Sequence, residues 1–275
     1  IILRDSNPGS VTLTPGGVGR NIAHDLCLLG LDVRLVSAVG DDSNGEFLLD
    51  RCRGLGMDVS LVRVVPGARS SSYLYITDER GDMQLAVNDM AVCNEISPEY
   101  LEGVLPGIQA GALVLDTNLP VESLEFICRS TCIPIYADPV SSVKAMKLRS
   151  VMKHLRAIKP NALEAAALTG QADPELAARA LIDEGVQRVF ISLGTNGMIA
   201  AEGSRVLRMP SPEANVVNAT GAGDAAMSAI VWADMHGLSL EDSARAAQLA
   251  GAITCASEAS NAPELSRLPG LLAAE

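Results

Sequence analysis

The sequence predicts an α/β fold, a doubly wound and mostly parallel sheet carrying a small β-sheet lid, and three observations lead there. From residue 96 onward, short apolar runs alternate with stretches of helical period, which is the pattern of repeated strand–helix units. Polar or glycine residues fall at or just after the ends of those runs, at Asn118, Asp138, Asn161, Glu164 and Gly194, where ligands bind in sheets of this kind. Between residues 62 and 92 the texture changes to alternating segments around a polar turn, the signature of a hairpin set apart from the body.

In chain order, Ser6-Asn7-Pro8-Gly9 is turn chemistry, and Ser10 to Thr14 alternates small polar and apolar residues as a short strand does. Pro15-Gly16-Gly17-Val18-Gly19-Arg20-Asn21 then leads into a helix from about Ile22 to Leu29, which Gly30 ends. Val33 to Val39 reads as a buried strand, Gly40-Asp41-Asp42 as a loop and cap, and Asn44 to Leu55 as a helix. Ser71 to Thr77 and Met83 to Asn88 flank the turn Asp78-Glu79-Arg80-Gly81-Asp82. Residues 62–92, joined by residues 9–15, are expected to make a lid that closes over a ligand and excludes water, or that meets a second copy in a homodimer. Further strands are expected at 112–116, 134–137, 157–159 and 189–192, and helices at 121–128, 162–169, 225–235 and 243–255, with a weakly helical tail over 265–275. Without a repeat, a low-complexity segment or a linker, residues 1–275 read as one domain.

Composition excludes several classes. A net charge of -12 argues against nucleic acid as a partner, because that binding rests on clustered Lys and Arg. No apolar run approaches the roughly 20 residues of a membrane helix, so no membrane is expected. The six cysteines lie in apolar surroundings without metal-ligand spacing, and the three histidines are far apart. These features point to a reducing, cytoplasmic setting and against zinc or a histidine triad.

Three stretches carry chemistry. Asn218-Ala219-Thr220-Gly221-Ala222-Gly223-Asp224 precedes an apolar helix, and it reads either as a tight turn capped by Asp or as a phosphate cradle. In the second reading Asp224 accepts a proton from a substrate hydroxyl. Asn21 either caps its helix or meets sugar hydroxyls. Asn161 and Glu164 have the spacing of a capping box, which is the stronger local reading, and could instead hold a hydrated magnesium ion.

Taken together, Gly16-Gly17-Val18-Gly19-Arg20-Asn21-Ile22-Ala23, Lys159-Pro160-Asn161-Ala162-Leu163-Glu164 and Asn218 through Ala225 resemble the ribokinase-like (PfkB) carbohydrate kinases in order and spacing. The resemblance implies that Asp224 is the base and that Gly221, Ala222 and Gly223 form an anion hole. It implies that Gly16, Gly17 and Asn21 hold the ribose, that Asn161 and Glu164 organise the triphosphate and Mg2+, and that Ser192, Gly194, Gly197 and Thr220 line the nucleotide side. Residues near Ser257 to Asn261 fall where relatives carry a loop for a monovalent cation such as K+. Other stretches, among them Asp5 to Gly9, Val87-Asn88-Asp89-Met90 and Asp138-Pro139-Val140-Ser141, resemble family members acting on pseudouridine. That likeness implies ATP-dependent phosphorylation of its 5′-hydroxyl, with Asn88, Asp89, Asn118, Ser71 and Ser72 as candidate contacts to the ring. Alternatives are a kinase for another sugar or nucleoside, and a nucleoside- or nucleotide-binding sensor without turnover. Relatives begin with a strand bearing a sugar-gripping carboxylate, and the opening Ile1-Ile2-Leu3 lacks it, so that first strand is expected to be missing from this sequence.

Overall fold

In the computed structural model, which describes residues 5–78 and 83–273, regular structure begins at the first glycine-rich stretch. Helix α1 (Val18–Leu28) leads to β1 (Ser37–Gly40), α2 (Ser43–Gly54), β2 (Val62–Val65) and the hairpin of β3 (Ser72–Thr77) and β4 (Met83–Asp89). The body follows as α3 (Pro98–Val104), β5 (Leu113–Asp116), α4 (Val121–Ser130), β6 (Ile135–Asp138), α5 (Ser142–Ala145), β7 (Leu155–Ile158) and α6 (Ala162–Thr169). It ends with α7 (Pro174–Asp183), β8 (Arg188–Ser192), β9 (Met198–Glu202), β10 (Arg205–Met209), α8 (Ala222–Met235), α9 (Leu240–Cys255) and α10 (Leu268–Ala273).

The main sheet runs β10-β9-β8-β7-β6-β5. Strands β5 to β8 are parallel, and β9 and β10 return antiparallel at one edge. Side-chain alternation explains why helices cover both faces. Ile135, Ala137, Ile158, Val189, Ile191 and Ile199 join one core with Leu124, Leu148, Leu168 and Leu181. Their neighbours Tyr136, Ala157, Phe190, Met198 and Ala200 join the opposite core with Ile22, Met227, Ile230 and Val231. Helix α8 also presents Ala225, Ala229 and Ala233 to a cluster containing Ala246 and Ala250 of α9, small residues that permit close helix packing.

Several expectations are corrected by these pairings. Ser10 to Thr14 carries no strand: its alternating residues lie exposed, with Val11 fully so, and find no ladder partner. The strand expected at Val33 to Val39 is confined to Ser37–Gly40, and it pairs in parallel with β2, from Ser37 opposite Val62 to Gly40 opposite Val65. The antiparallel part of the lid therefore reduces to β3 and β4, with Tyr73 opposite Asn88 and Ser72 opposite Asp89. Glu79 to Asp82 of the expected turn, Ile1 to Arg4, and Ala274 and Glu275 lie outside the described residues. On the hairpin Tyr73, Leu74, Tyr75, Ile76, Leu85 and Val87 are all exposed, so apolar groups stand on both of its faces. No helix of the described residues is long and apolar enough to cross a membrane.

Candidate active site

Helix α8 positions the central carboxylate. Its N-cap is Gly221, at φ 88°, and Asp224 is the third helical residue and not the cap. That removes the capped-turn reading of this stretch. A Cβ on Gly221 would lie 2.0 Å from the main-chain oxygen of Ser260, so glycine is required both by the left-handed backbone and by the approach of the 257–261 loop. No side chain among the described residues caps α8. Its first-turn N–H groups and the positive end of its dipole can therefore serve an anion.

Asp224 is buried, with 8% of its surface exposed, and its Oδ2 accepts from Asn21 Nδ2 at 2.7 Å. Burial pushes its carboxyl up to about 7; Asp138 and Asp116 add to the rise, while the Asn21 hydrogen bond and Lys159 oppose it. Such a group releases its proton near neutrality, as a general base at that pH requires. Asn21 in turn accepts from Arg20, and its main-chain oxygen accepts from Asn261 Nδ2 at 3.0 Å. Asn21 therefore does not cap its helix, and one of its amide protons is committed to Asp224.

Lys159, just past β7, is buried and lies 3.2 Å from Asp138 Oδ2 at the end of β6. Its Nζ sits 3.4 Å from where a Cβ on Gly223 would be, which places an ammonium against the first turn of α8. Burial works against that charge, but Asp138, Glu164 and Asp224 outweigh it and hold the ammonium protonated. Asp116, at the end of β5, accepts from Gly19 N–H at 2.9 Å and ties the first motif to the sheet. The sequence marked Asp138 as a strand-end residue, Lys159 and Arg20 as members of the motifs and Asn261 as part of a cation loop, but gave none of them these partners.

The expected capping box between Asn161 and Glu164 is present. Asn161 Oδ1 accepts from Glu164 N–H at 2.9 Å and Glu164 Oε2 accepts from Asn161 N–H at 2.8 Å. Glu164 is buried, and burial pushes its carboxyl above the ordinary range. Asn161, Ser192 and Gly194 line a cleft of about 460 Å³ together with Asn196 and Arg208. Gly197 is buried at φ 92°, where a Cβ would meet Met209 O at 1.9 Å. Thr220 is exposed, its N–H donating to Asn218 Oδ1 at 2.9 Å. Gly16 and Gly17 precede α1, and Arg20 Nε donates to Gly16 O at 3.3 Å.

The residues expected to contact the ring face solvent or bind other groups. Asn88 and Asp89 are exposed on β4, and Asp89 accepts from Ala91 N–H at 3.2 Å. Asn118 Oδ1 accepts from Lys144 Nζ at 2.6 Å, so its carbonyl is already engaged.

A buried carboxyl, an adjoining buried cation and an uncapped helix N-terminus are an arrangement suited to phosphoryl transfer. The model of the pfkB family of carbohydrate kinases matches residues 4–267. The chain belongs to that family. It is 38% identical over 270 residues to the pseudouridine kinase of Escherichia coli (strain K12), covering 95% of this chain and 86% of that protein. It is 37% identical over 270 residues to the uncharacterized sugar kinase YeiI of the same organism, covering 95% of this chain and 74% of that protein. The ribokinase of Thermotoga maritima shares its fold, with a TM-score of 0.88 at 20% identity over 99% of this chain and 92% of that one. The chain is a ribokinase-like kinase with a mostly parallel central sheet and a small antiparallel one.

Proposed function

We propose that this kinase transfers the γ-phosphoryl group of ATP to the 5′-hydroxyl of pseudouridine, giving pseudouridine 5′-phosphate. The observation that carries the phosphoryl-transfer reading is Asp224, a buried carboxyl titrating near neutrality beside an uncapped helix N-terminus. Pseudouridine is supported by likeness to the E. coli pseudouridine kinase. In this reading Asp224, ionised, takes the proton from the 5′-hydroxyl as that oxygen attacks phosphorus. Asn21 holds the carboxylate in position, and Gly221, Ala222 and Gly223 offer backbone N–H groups to the phosphoryl oxygens. Lys159 adds a fixed charge against the same turn, so part of the negative charge that gathers there is met without rearrangement.

The residues fit the expected cofactor. Asn161, Ser192, Gly194, Gly197 and Thr220 would face the nucleotide, and the buried Glu164 would reach Mg2+ through water, since magnesium keeps several waters and few protein ligands. Magnesium, when bound, neutralises charge on the phosphate oxygens. The 257–261 loop, held against Gly221, would take a monovalent cation such as K+. Gly16, Gly17 and the remaining Asn21 proton would meet the ribose, and Asn88, Asp89 and Asn118 the ring. Free thiols at all six cysteines suit a cytoplasmic setting. The exposed apolar hairpin would close over the nucleoside with one face and meet a second copy with the other.

A second reading, a kinase for another sugar or nucleoside, is favoured by the nearly equal likeness to YeiI. An ATP and Mg2+ assay over pseudouridine, uridine, ribose and fructose separates the two. Pseudouridine carries a free ring N1–H, so a buried acceptor for it would favour pseudouridine over uridine by up to roughly 10⁴-fold. Equal rates with uridine, or preference for a simple sugar, overturn the pseudouridine assignment. Turnover of none of the four points instead to a binding protein. Sedimentation of the protein as a dimer that Leu85→Glu disperses supports the contact through the lid, and a monomer removes it.

A further inference from the structure

Asp25 lies on α1, four residues beyond Asn21, with no exposed surface, and the proposed reaction does not use it. Its Oδ1 accepts from Asn261 Nδ2 at 2.8 Å, while Oδ2 has no hydrogen-bond partner among the described residues. A buried carboxylate so placed needs a cation or a proton. The amide of Asn261 also donates to Asn21 O at 3.0 Å, and its Oδ1 accepts from Arg20 Nη2 at 2.9 Å. Arg20 Nη2 donates in addition to Asn21 Oδ1, and Asn21 Nδ2 donates to Asp224 Oδ2 at 2.7 Å. An unbroken chain of hydrogen bonds thus joins two buried carboxyls through two amides and one guanidinium.

The titratable and charged groups around this chain are Arg20 and His24 on α1, Cys52 on α2 and Asp224 on α8, with Asp116, Asp138 and Lys159 bordering Asp224 from the sheet. Burial and the neighbouring Arg20 hold His24 neutral, with Arg20 Nη1 donating to its Nδ1 at 3.4 Å. Burial likewise keeps the Cys52 thiol protonated. Among the described residues Arg20 is then the cation that feels both acids. Lys159 also borders Asp224 but is paired with Asp138 at 3.2 Å, so Arg20 is the cation that the hydrogen bonds join to both carboxyls.

We propose that Asp25 is a positioning residue for the base: Asp25 and Asp224 share Arg20, so the proton held by one carboxyl governs how readily the other ionises. This rests on the reading of Asp224 as the base. Burial pushes both carboxyls up to about 7, and the charge of Asp224 contributes to the rise at Asp25. The pair therefore titrates as a unit in which the first proton leaves more easily than the second.

Asp25→Asn keeps the shape and removes the charge. The negative charge at the far end of the chain of hydrogen bonds is then gone, and the acid limb of kcat/KM moves down by about 1 pH unit. Asp25→Leu, also uncharged, moves the limb the same way. A lowered kcat with an unmoved limb in both variants marks a structural role and overturns the proposal. If neither variant folds, a carbon-13 NMR titration of the wild-type carboxyls decides. Two shared inflections at Asp25 and Asp224 are expected, and single independent ones overturn the proposal. The two failures are distinguishable: uncoupled titrations overturn the sharing of Arg20 without any assay of turnover, whereas full activity in Asp224→Asn overturns the base.

Discussion

If Asp224 is the base, as proposed, the physics of one buried carboxyl governs both activity and stability. Burial raises its pKa from the ordinary carboxylate range to about 7, so the group is neutral in acid and becomes ionised as pH rises through about 7. The expected kcat/KM of the free enzyme therefore climbs with pH below about 7 and levels above it. A profile flat from about pH 5 to 8 contradicts an ionised Asp224 as the base. The stability sign is opposite. A raised folded pKa contributes stability that is complete below the unfolded value and lost as pH rises through about 7. Val140 is a second residue-scale feature. It is β-branched yet sits at φ 63°, and its N–H donates to Asp138 Oδ1 at 2.9 Å, beside the partner of Lys159. That strain costs about 1 kcal/mol or more. Val140→Asn, whose side chain tolerates the left-handed region, is expected to raise stability by about 1 kcal/mol in urea unfolding. An unchanged or lower midpoint contradicts the strain.

Among the elements, α6 and α8 were the most legible from sequence, for different reasons. The capping box of α6 needs only residues three apart, so Asn161 and Glu164 announced it locally. The start of α8 was ambiguous, because Gly-Ala-Gly-Asp suits a capped turn as well as an anion site. What no local reading could supply is the partner of that carboxylate, Asn21, which lies 203 residues away. Residues 10–14 show the converse: alternation alone suggested a strand, but a strand requires an edge to pair with. The pairing of β1 with β2 was likewise unreadable, since alternation does not name a partner. The contact of Gly221 with the 257–261 loop gives a test at this scale. Gly221→Ala places a methyl group on Ser260 O in a left-handed backbone, so stability is expected to fall by about 1–3 kcal/mol and the KM for ATP to rise. Unchanged stability and KM would show that the loop does not brace the helix start.

Across the whole molecule, α8 connects two ends of the sheet with different duties. Asp224 begins it beside the carboxyl ends of β6 and β7, and Asp234 closes it ten residues later, about 15 Å along the axis. There Asp234 accepts from Tyr136, from Arg156 Nε at 2.7 Å and Nη2 at 2.6 Å, and from Arg188 Nη1 at 3.0 Å. Burial opposes its charge, but the Arg156 and Tyr136 hydrogen bonds hold its carboxyl below the ordinary range. Among the described residues, Asp234→Ala leaves Arg156 only Gln187 and Arg188 only Glu202 as side-chain acceptors of a charged or amide kind, and is expected to cost about 1–3 kcal/mol while leaving kcat unchanged. A comparable loss of kcat would contradict the division between the two ends. The parallel sheet was legible because each strand–helix unit is local, and so was the line of polar residues at the strand ends. The network around Asp25 and Asn261 was not, because it joins residues 236 apart through buried side chains that no periodicity marks. The central claim, that Asp224 drives phosphorylation of a nucleoside hydroxyl, is tested most directly by product formation from ATP, Mg2+ and pseudouridine in the wild type and in Asp224→Asn. The account predicts pseudouridine 5′-phosphate from the wild type and a rate roughly 10²- to 10⁴-fold lower in the folded variant. Equal rates from the two proteins would contradict it.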